Sequence, residues 1–404
     1  MAESALAGIK VLEFCQMVAG PYCTKLMADL GAEVVKIEKP GWGDEARSRP
    51  PFFHDVPDPE TSGLFLYLNT NKLGVTLNVE SETGRKIFKE LVKEIDILVE
   101  DNPPGVMKKQ GLDYEVLKEL NSGLIMTSIT PFGQTGPYRN YKAYPLNAFQ
   151  SGGEGYLTPS GVENIGRPPL KAGSFLEEYD SGLSAAIATM GALYWKKSSG
   201  LGQFIDISKQ ESAMSLNRMD VIVRYANERK LLTRAQQGVP YGGILPCKDN
   251  DYTVFVTWQE RQWERVVSMM DNPAWAEDER FKDHGGRFKH GELLNAFLVE
   301  WLVNYTKEEL YHMGQANGVP FGMVNTAKDL LDSEHLKERG FFVEIDHPRM
   351  GKVKYPSAPH KFSETPWRVN RPAPLLGEHN GEIYCGRLGY SKEELVKLRE
   401  AGVI

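Results

Sequence analysis

GIKVLEFCQMVAGPYCTKLMADLGAEVVKIE, residues 8–38, is the stretch that decides the fold. Gly8–Phe14 is a short apolar run typical of a buried strand, and Pro21–Leu30 has the apolar spacing of a helix that ends at Gly31. Glu33–Glu38 has the pattern of the next strand. A strand, a helix and a second strand in close succession form a β-α-β unit, which predicts parallel strands joined by a right-handed crossover.

The alternation of strands and helices continues to about residue 130. Leu73–Val79, Ile95–Glu100 and Leu124–Thr130 are further strand candidates, and Ser81 can cap the helix that follows the first of them. Strands separated by helices of about a dozen residues predict an α/β fold with a doubly wound parallel sheet. From about Gly238 a different mixture of strand-like and helical patterns, rich in tryptophan, indicates a second, smaller α+β unit.

Composition excludes several classes of protein. The chain has 404 residues, 41% of them hydrophobic and 25% charged, which is not the composition of a disordered, collagen-like or coiled-coil protein. No apolar run approaches the ~20 residues of a membrane helix and no secretory signal pattern is present, so we expect a cytoplasmic protein without a membrane partner. The net charge of −7 argues against a nucleic-acid partner, and the four cysteines lack zinc-binding spacing, so no metal is expected.

Motifs for several common chemistries are absent. There is no GxxxxGK[ST] loop, and Gly152, Gly153 and Gly155 do not follow a strand as a dinucleotide-binding fingerprint requires. Gly182–Ala186 lacks the second glycine of a nucleophile elbow, and the histidines form no HExxH pair. We expect His379 to cap or hydrogen-bond and not to act in acid–base chemistry.

An acidic stretch, Glu177–Ser181, stands immediately before an apolar helix predicted at about Ser181–Lys196. Asp180 or Ser181 is the expected N-cap of this helix. A carboxylate just upstream would lie near the positive end of the helix dipole, which favours the ionised form, and an ionised carboxylate can serve as a covalent nucleophile. In the alternative interpretation, these acidic residues only cap the helix and contact solvent.

Seven ordered motifs resemble the family III CoA-transferases, the group of formyl-CoA:oxalate and carnitine CoA-transferases. The motifs are GIKVLEF-x5-GPYCTKLMADLGAEVVKIEKPG-x-GD at 8–44, LNTNK at 68–72, DILVEDNPPG at 96–105, FGQTGPY at 132–138, KAY at 142–144, GLGQFIDIS at 200–208 and APLLGEHN at 373–380. The resemblance covers nearly the whole chain.

The resemblance implies a large Rossmann-like domain and a smaller domain inserted into it. We expect residues 1–220 to form the N-terminal part of the large domain, 221–330 the small α+β domain, and 331–404 a segment that returns to the large domain. In this family two chains are threaded through each other, so the resemblance also implies an interlocked dimer.

The implied reaction passes CoA from an acyl-CoA to a free carboxylic acid. An active-site carboxylate attacks the thioester to give a mixed anhydride and CoA thiolate, and the thiolate then captures the enzyme carboxyl as an enzyme-CoA thioester. The acceptor acid repeats the steps in reverse. The anhydride would hydrolyse in water, so the carboxylate must be held away from solvent. CoA is therefore the expected co-substrate.

The resemblance assigns site residues position by position. The nucleophile position falls on Glu178, where most relatives have Asp. Other positions of the family contact CoA, either at its phosphates or along the active-site cleft. In this sequence they are Met17, Val18, Lys39, Leu77, Asn102, Lys109, Lys142 and Tyr144.

Three departures from the family pattern leave two interpretations open. Glu replaces Asp at 178, Met17-Val18 replaces an apolar-Gln pair, and Asp101-Asn102 replaces an Asn-aromatic pair. In the first interpretation the chain is an active transferase that uses Glu178. In the second it is a catalytically silent subunit of a heteromer whose sister chain carries the Asp, similar to succinyl-CoA:benzylsuccinate CoA-transferase. A CoA-linked racemase or isomerase of the same superfamily is a third alternative, for which no His and carboxylate pair can be placed.

The substrates are the least determined part of the prediction. The acceptor must be a carboxylic acid, and a short dicarboxylate thioester such as succinyl-CoA is a plausible donor. Tyr241, Trp258 and Trp263 would suit an aromatic acceptor, although we expect these rings to pack in a core.

Overall fold

The structure is a computed structural model that describes residues 4–161, 165–217, 219–234 and 241–404. The chain forms two compact units. The sheet unit comprises Met1–Tyr156, Lys171–Ala226 and Glu338–Ile404, and the small unit comprises Leu157–Leu170 and Asn227–Lys337. The segment 157–170, which the sequence analysis assigns to the large domain, lies in the small unit.

A six-stranded sheet organises the sheet unit. Its strands are β1 (Lys10–Phe14), β2 (Glu33–Glu38), β3 (Lys72–Thr76), β4 (Ile97–Glu100), β5 (Ile125–Thr130) and β6 (Phe204–Ser208). They lie in the order β3-β2-β1-β4-β5-β6, and every neighbouring pair is parallel. The predicted α/β fold with a parallel sheet is confirmed.

Both faces of the sheet are buried, and strand residues alternate between them. Val11 and Ile97 point to one face, where they pack with α1 (Ala19–Asp29) and α7 (Leu176–Ser199). Leu12, opposite Leu98 in the register, faces the other side with α3 (Glu82–Val92). This two-sided burial explains why the central strand β4, ILVE, has apolar residues at three successive positions.

The remaining helices of the sheet unit connect these strands or follow them. They are α2 (Gly63–Leu68), α4 (Val106–Lys109), α5 (Tyr114–Lys118), α6 (Pro145–Ser151), α8 (Lys209–Asn217), α9 (Met219–Glu228) and α16 (Lys392–Glu400). An antiparallel pair, β10 (Phe342–His347) and β11 (Gly351–Pro356), also belongs to this unit. The short helix α15 (Glu334–Glu338) precedes it.

Of the two helix N-caps predicted from the sequence, one is confirmed and the other is wrong. Ser81 caps α3 as predicted, accepting a hydrogen bond from Gly84 N. The prediction of Asp180 or Ser181 as the N-cap of α7 is wrong, because α7 begins at Leu176 with Phe175 as its N-cap. The helix extends upstream because glutamates are favourable in a first turn, so the acidic stretch that marked a boundary lies inside the helix.

The C-terminal motif APLLGEHN covers the edge strand β3. His379 Nδ1 accepts a hydrogen bond from Gly74 N, and His379 N donates to Gly74 O. The side chain of Asn380 accepts a hydrogen bond from Thr76 N at its Oδ1 and donates one from its Nδ2 to Thr76 Oγ1. The expected hydrogen-bonding role of His379 is thus confirmed, and its effect is to close a sheet edge that would otherwise be unpaired.

The small unit has its own sheet and core. Strands β7 (Gly243–Pro246), β8 (Tyr252–Phe255) and β9 (Phe321–Met323) form an antiparallel sheet. The helices of this unit are α10 (Glu260–Met269), α11 (His284–Lys289), α12 (Gly291–Leu302), α13 (Lys307–Asn317) and α14 (Ala327–Asp332).

The aromatic residues considered for an acceptor site fall into two groups. Tyr241 and Trp263 are buried in the core of the small unit, with ring centroids 5.9 Å apart. Trp258 is 67% exposed, so the expectation of core packing is wrong for this residue. Across the described ranges of both units, no helix has the length and apolar character needed to span a bilayer.

Candidate functional site

A cavity of about 810 Å³ opens at the carboxyl end of the six-stranded sheet. Parallel strands end at the same edge of a sheet, and ligands of such folds bind there, at the point where the strand order reverses. Here the order reverses between β1 and β4. The segments that follow β1, β2, β3, β4 and β6 all contribute to the cavity wall.

Most of the residues predicted for the site line this cavity. They are Met17, Val18, Lys39, Leu77, Asn102, Tyr144 and Glu178. Lys109, at the last position of α4, and Lys142, in the loop before α6, are exposed and do not line it.

Glu178 lies in the first turn of α7 with its carboxylate on the cavity wall. Its side chain is 7% exposed. Both carboxylate oxygens accept hydrogen bonds from Lys209 Nζ, at 2.8 Å for Oε1 and 2.7 Å for Oε2. The carboxylate therefore lies at the positive end of the helix dipole and against an ammonium group.

Lys209 was not identified from the sequence. It is the first residue of α8 and directly follows β6, so its backbone lies at the carboxyl end of that strand. This position is the signal that could have identified it, because each strand of the sheet delivers its next residue to the same edge. Whether it meets Glu178 depends on how α7 packs on the sheet, which the local sequence does not specify.

A second carboxyl group, Asp101, lines the same cavity after β4. The amide N of Gln16 donates to both of its oxygens, at 3.2 Å and 3.1 Å. Burial raises the pKa of the Asp101 carboxyl well above its ordinary value, although the nearby Lys209 and the Gln16 amide oppose the shift. The cavity thus contains two carboxyl groups and an ammonium group that acts electrostatically on both.

The β1–α1 turn is held by a charged network beneath the cavity. Met17 has a left-handed backbone (φ 63°), and its amide donates to Asp44 Oδ1 at 2.8 Å. The other oxygen of Asp44 accepts from Lys36 Nζ at 2.7 Å, and Lys36 also donates to Cys15 O at 3.1 Å. The network fixes a backbone conformation that a non-glycine residue adopts at a cost of about 1–2 kcal/mol.

Glu13 completes this network inside the sheet. It pairs with Lys36 at 2.7 Å and with Lys72 at 2.8 Å, and all three side chains are fully buried. Although burial alone would raise it, the pKa of Glu13 is lowered to about 2 because two ammonium groups contact the carboxylate. Buried charges are tolerated only when paired in this way.

Asn102 is hydrogen-bonded to a neighbouring carboxylate, whereas the carboxylate of Glu177 is buried without a hydrogen bond from any described residue. Asn102 donates from both its backbone N and Nδ2 to Glu100 Oε2, at 2.9 Å and 3.1 Å. Glu177 is buried beside Glu178 but does not line the cavity. Among the residues that the structure describes, none hydrogen-bonds to either of its carboxylate oxygens, and Lys171 Nζ lies 3.6 Å from Oε2. Burial raises the pKa of Glu177.

This arrangement suits covalent chemistry by a carboxylate. Within the part of the chain that the structure describes, no group of three His, Cys, Asp or Glu residues could hold a metal ion. The cavity presents a nearly buried, ion-paired carboxylate, and an electrophilic carbonyl carbon could approach it from the open side.

Comparison with known proteins gives the family. Residues 6–380 match CoA-transferase family III. The chain is 31% identical to the formyl-CoA:oxalate CoA-transferase of Rhodopseudomonas palustris, over 99% of this chain and 97% of that protein. It is 32% identical to the succinyl-CoA–D-citramalate CoA-transferase of Chloroflexus aurantiacus, over 99% and 98% of the two chains.

A solved structure agrees with these relatives. A CaiB/BaiF family protein of Brucella suis superposes with a TM-score of 0.85 at 30% identity, covering 95% of this chain and 99% of that one. The sequence resemblance to the family is confirmed. Because the family match spans nearly the whole chain, this protein is an enzyme of the CoA-transferase family III.

Proposed function

We propose that this chain moves CoA from an acyl-CoA to a free carboxylic acid, with Glu178 as the nucleophile. The observation that carries the proposal is the position of Glu178, whose side chain is 7% exposed, is paired with Lys209 and forms part of the cavity wall. Attack on the thioester would give an anhydride and then a Glu178-CoA thioester. Both intermediates need protection from water, which a nearly buried carboxylate favours.

We propose that CoA lies along the carboxyl end of the sheet. Met17, Val18, Leu77 and Asn102 would line its path, as the cavity wall indicates. Lys39 and Tyr144 are exposed and line the same cavity, where they can reach an extended ligand. Lys109 would meet CoA phosphates beyond the cavity, since it is exposed and a flexible ammonium suits phosphate. Lys142 would meet CoA near the active site, because the adjoining Ala143 and Tyr144 line the cavity.

We also propose that the sheet unit is Rossmann-like and that two chains interlock as a dimer. The support for the dimer is an apolar stripe on the exposed side of α7. Leu183, Ile187, Tyr194 and Trp195 are all exposed on this helix, with Tyr194 81% exposed. Such a contiguous apolar surface is typical of a protein–protein interface.

The named relatives suggest which substrates to test. Formyl-CoA and succinyl-CoA are the donors in their names, and oxalate and D-citramalate are the acceptors. We propose a carboxylate acceptor and an acyl-CoA donor of this kind for the present chain. The four free cysteines fit a reducing compartment, which supports the proposal that the enzyme acts in the cytoplasm.

One observation favours the alternative, a silent subunit in a heteromer with a related chain. Lys209 donates to both oxygens of Glu178, and these charge-assisted hydrogen bonds reduce the nucleophilicity of the carboxylate. An active enzyme must also tolerate the extra methylene of Glu, and a displacement of about 1 Å can cost about 10²-fold in rate.

The test is CoA transfer by the purified chain alone. Wild type, E178Q and the matched control E82Q, which alters an exposed glutamate of α3, are incubated with each donor and acceptor, and new CoA thioesters are measured by liquid chromatography and mass spectrometry. We expect product with wild type and E82Q and none with E178Q. Product with E178Q would contradict the assignment of the nucleophile. Absence of product until a related chain is added, with E178Q still active in that complex, would establish the silent subunit.

A further inference from the structure

We propose that Lys209 is a positioning residue of the transfer reaction, which orients the ionised Glu178 and changes partner to Asp101 while Glu178 is acylated. The proposal rests on the proposed function of Glu178. It concerns a residue that none of the family motifs in the sequence includes, since GLGQFIDIS ends at Ser208, one position earlier.

The geometry shows how Lys209 fixes Glu178. A lysine ammonium has three donors, and Lys209 directs hydrogen bonds at both oxygens of one carboxylate. The two side chains are 15% and 7% exposed, so water competes little for these bonds. Glu has one more rotatable bond than Asp, and holding both oxygens removes that additional freedom. Lys209 thereby compensates for the longer side chain at the nucleophile position.

The charge changes during the reaction require a second partner. One oxygen of Glu178 forms a bond to the thioester carbonyl carbon, the C–S bond breaks, and CoA leaves as a thiolate with the electron pair. The thiolate then attacks the Glu178 carbonyl carbon, and the donor acid leaves as a carboxylate. Glu178 is uncharged in both acylated states, so Lys209 has lost its anionic partner.

Asp101 is placed to receive Lys209 in these states. It lines the same cavity, and the Gln16 amide holds both of its oxygens in position. Burial holds the pKa of Asp101 well above its ordinary value and the charge of Lys209 opposes this shift, so movement of the ammonium towards Asp101 would favour the ionised carboxylate. A shift of the ammonium towards Asp101 would leave the acylated Glu178 free for attack by the acceptor carboxylate. When CoA thiolate is transferred to the acceptor acid, the Glu178 carboxylate is restored and Lys209 returns to it.

The test compares K209M, K209R and a matched control in a single turnover. The control is K196M, which removes the 2.7 Å ion pair between Lys196 of α7 and Asp96. Like Lys209, Lys196 is half-buried, but it lies near the opposite end of α7 from Glu178. Formation of the Glu178-CoA thioester is followed by intact mass after rapid mixing with the acyl-CoA that serves wild type as donor, and steady-state kcat and KM are measured separately. Circular dichroism and thermal unfolding establish that each variant is folded.

We expect K209M to form the thioester about 10²-fold more slowly, the effect of a misplaced nucleophile, with KM for acyl-CoA changed far less than kcat. K209R should recover part of the rate, because it restores the cation, and K196M should match wild type. E178D should slow thioester formation less in the K209M background than in the wild type, since the shorter side chain depends less on Lys209 to fix its orientation.

Two results would overturn the proposal. Thioester formation at the wild-type rate in K209M would show that Lys209 does not position Glu178, while leaving the function of Glu178 intact. Equal losses in K209M and K196M would show a general effect of weakening α7. If wild type itself forms no Glu178 thioester with any donor, the proposed function fails first, and the role of Lys209 fails with it.

Discussion

Replacing Lys36 by methionine should destabilise the sheet unit more than any surface change. Lys36 donates to Glu13 and Asp44 at 2.7 Å each and to Cys15 O at 3.1 Å, with all of these groups buried. Removing one partner of a buried ion pair typically costs about 3–5 kcal/mol, because the charges that remain are not compensated.

The structure places the expected loss at the lower end of that range. Without Lys36, Glu13 keeps Lys72 at 2.8 Å and the hydroxyl of Thr24 at 2.6 Å. Asp44 keeps the backbone amides of Met17 and Ala46, each at 2.8 Å. We therefore expect the free energy of unfolding to fall by about 3 kcal/mol, roughly a hundredfold in the unfolding equilibrium.

Urea unfolding measures this loss, and hydrogen exchange of peptides from β1 and β2 assigns it to the sheet unit. The matched control is K86M, which removes an exposed i,i+4 pair with Glu82 and should leave the urea midpoint unchanged. Activity of folded K36M should also fall, because Asp44 then holds the Met17 turn less firmly. A K36M midpoint equal to that of K86M would refute the reasoning about the buried network.

Three further predictions follow from the structure. The pKa of Glu13 is lowered to about 2 from 4.5, so the stability that its ionised form provides is fully present above about pH 4.5 and is lost as the pH falls towards 2. Across this interval the urea midpoint of E13Q should fall less steeply with pH than that of the wild type. G182A should lower the free energy of unfolding by about 1–3 kcal/mol and remove most activity, since a Cβ there would lie 2.5 Å from Ala19 O, where α7 meets α1. In the control G285A the added Cβ makes only ordinary contacts. Thermal unfolding compares the two variants, and equal stability would contradict this packing. Y194E should convert the proposed dimer to monomer in light scattering, and an unchanged mass would exclude α7 from the interface.

The sheet could be predicted from sequence because its strands are buried on both faces. The apolar start of Ile97–Glu100, ILV, is a local signal of such burial, and the spacing of helices between the strands sets the parallel order. The boundaries were less accurate. The start of α7 at Leu176 was missed because the acidic residues that suggested a cap are equally favourable within a first turn.

The site was predictable only where it lies in the motifs that resemble the family. Lys39 stands directly after β2 and Asn102 two positions after the end of β4, so their placement at the cavity follows from the topology. Lys209 also follows a strand, but its contact with Glu178 joins two elements, α7 and α8, whose packing is a tertiary property. The same limit applies to Trp258, because no periodic pattern distinguishes an exposed ring from a core ring at the end of a strand.

The most direct test of the account is to trap the enzyme-bound thioester. Wild-type protein alone is incubated with succinyl-CoA or formyl-CoA, treated with borohydride or hydroxylamine, and digested for peptide mass spectrometry. We expect reduction or hydroxamate formation at Glu178 in the wild type, no modification there in E178Q and slower modification in K209M. Modification at no residue of this chain, together with trapping at an aspartate of an added related chain, would contradict the central claim and make this protein the silent subunit.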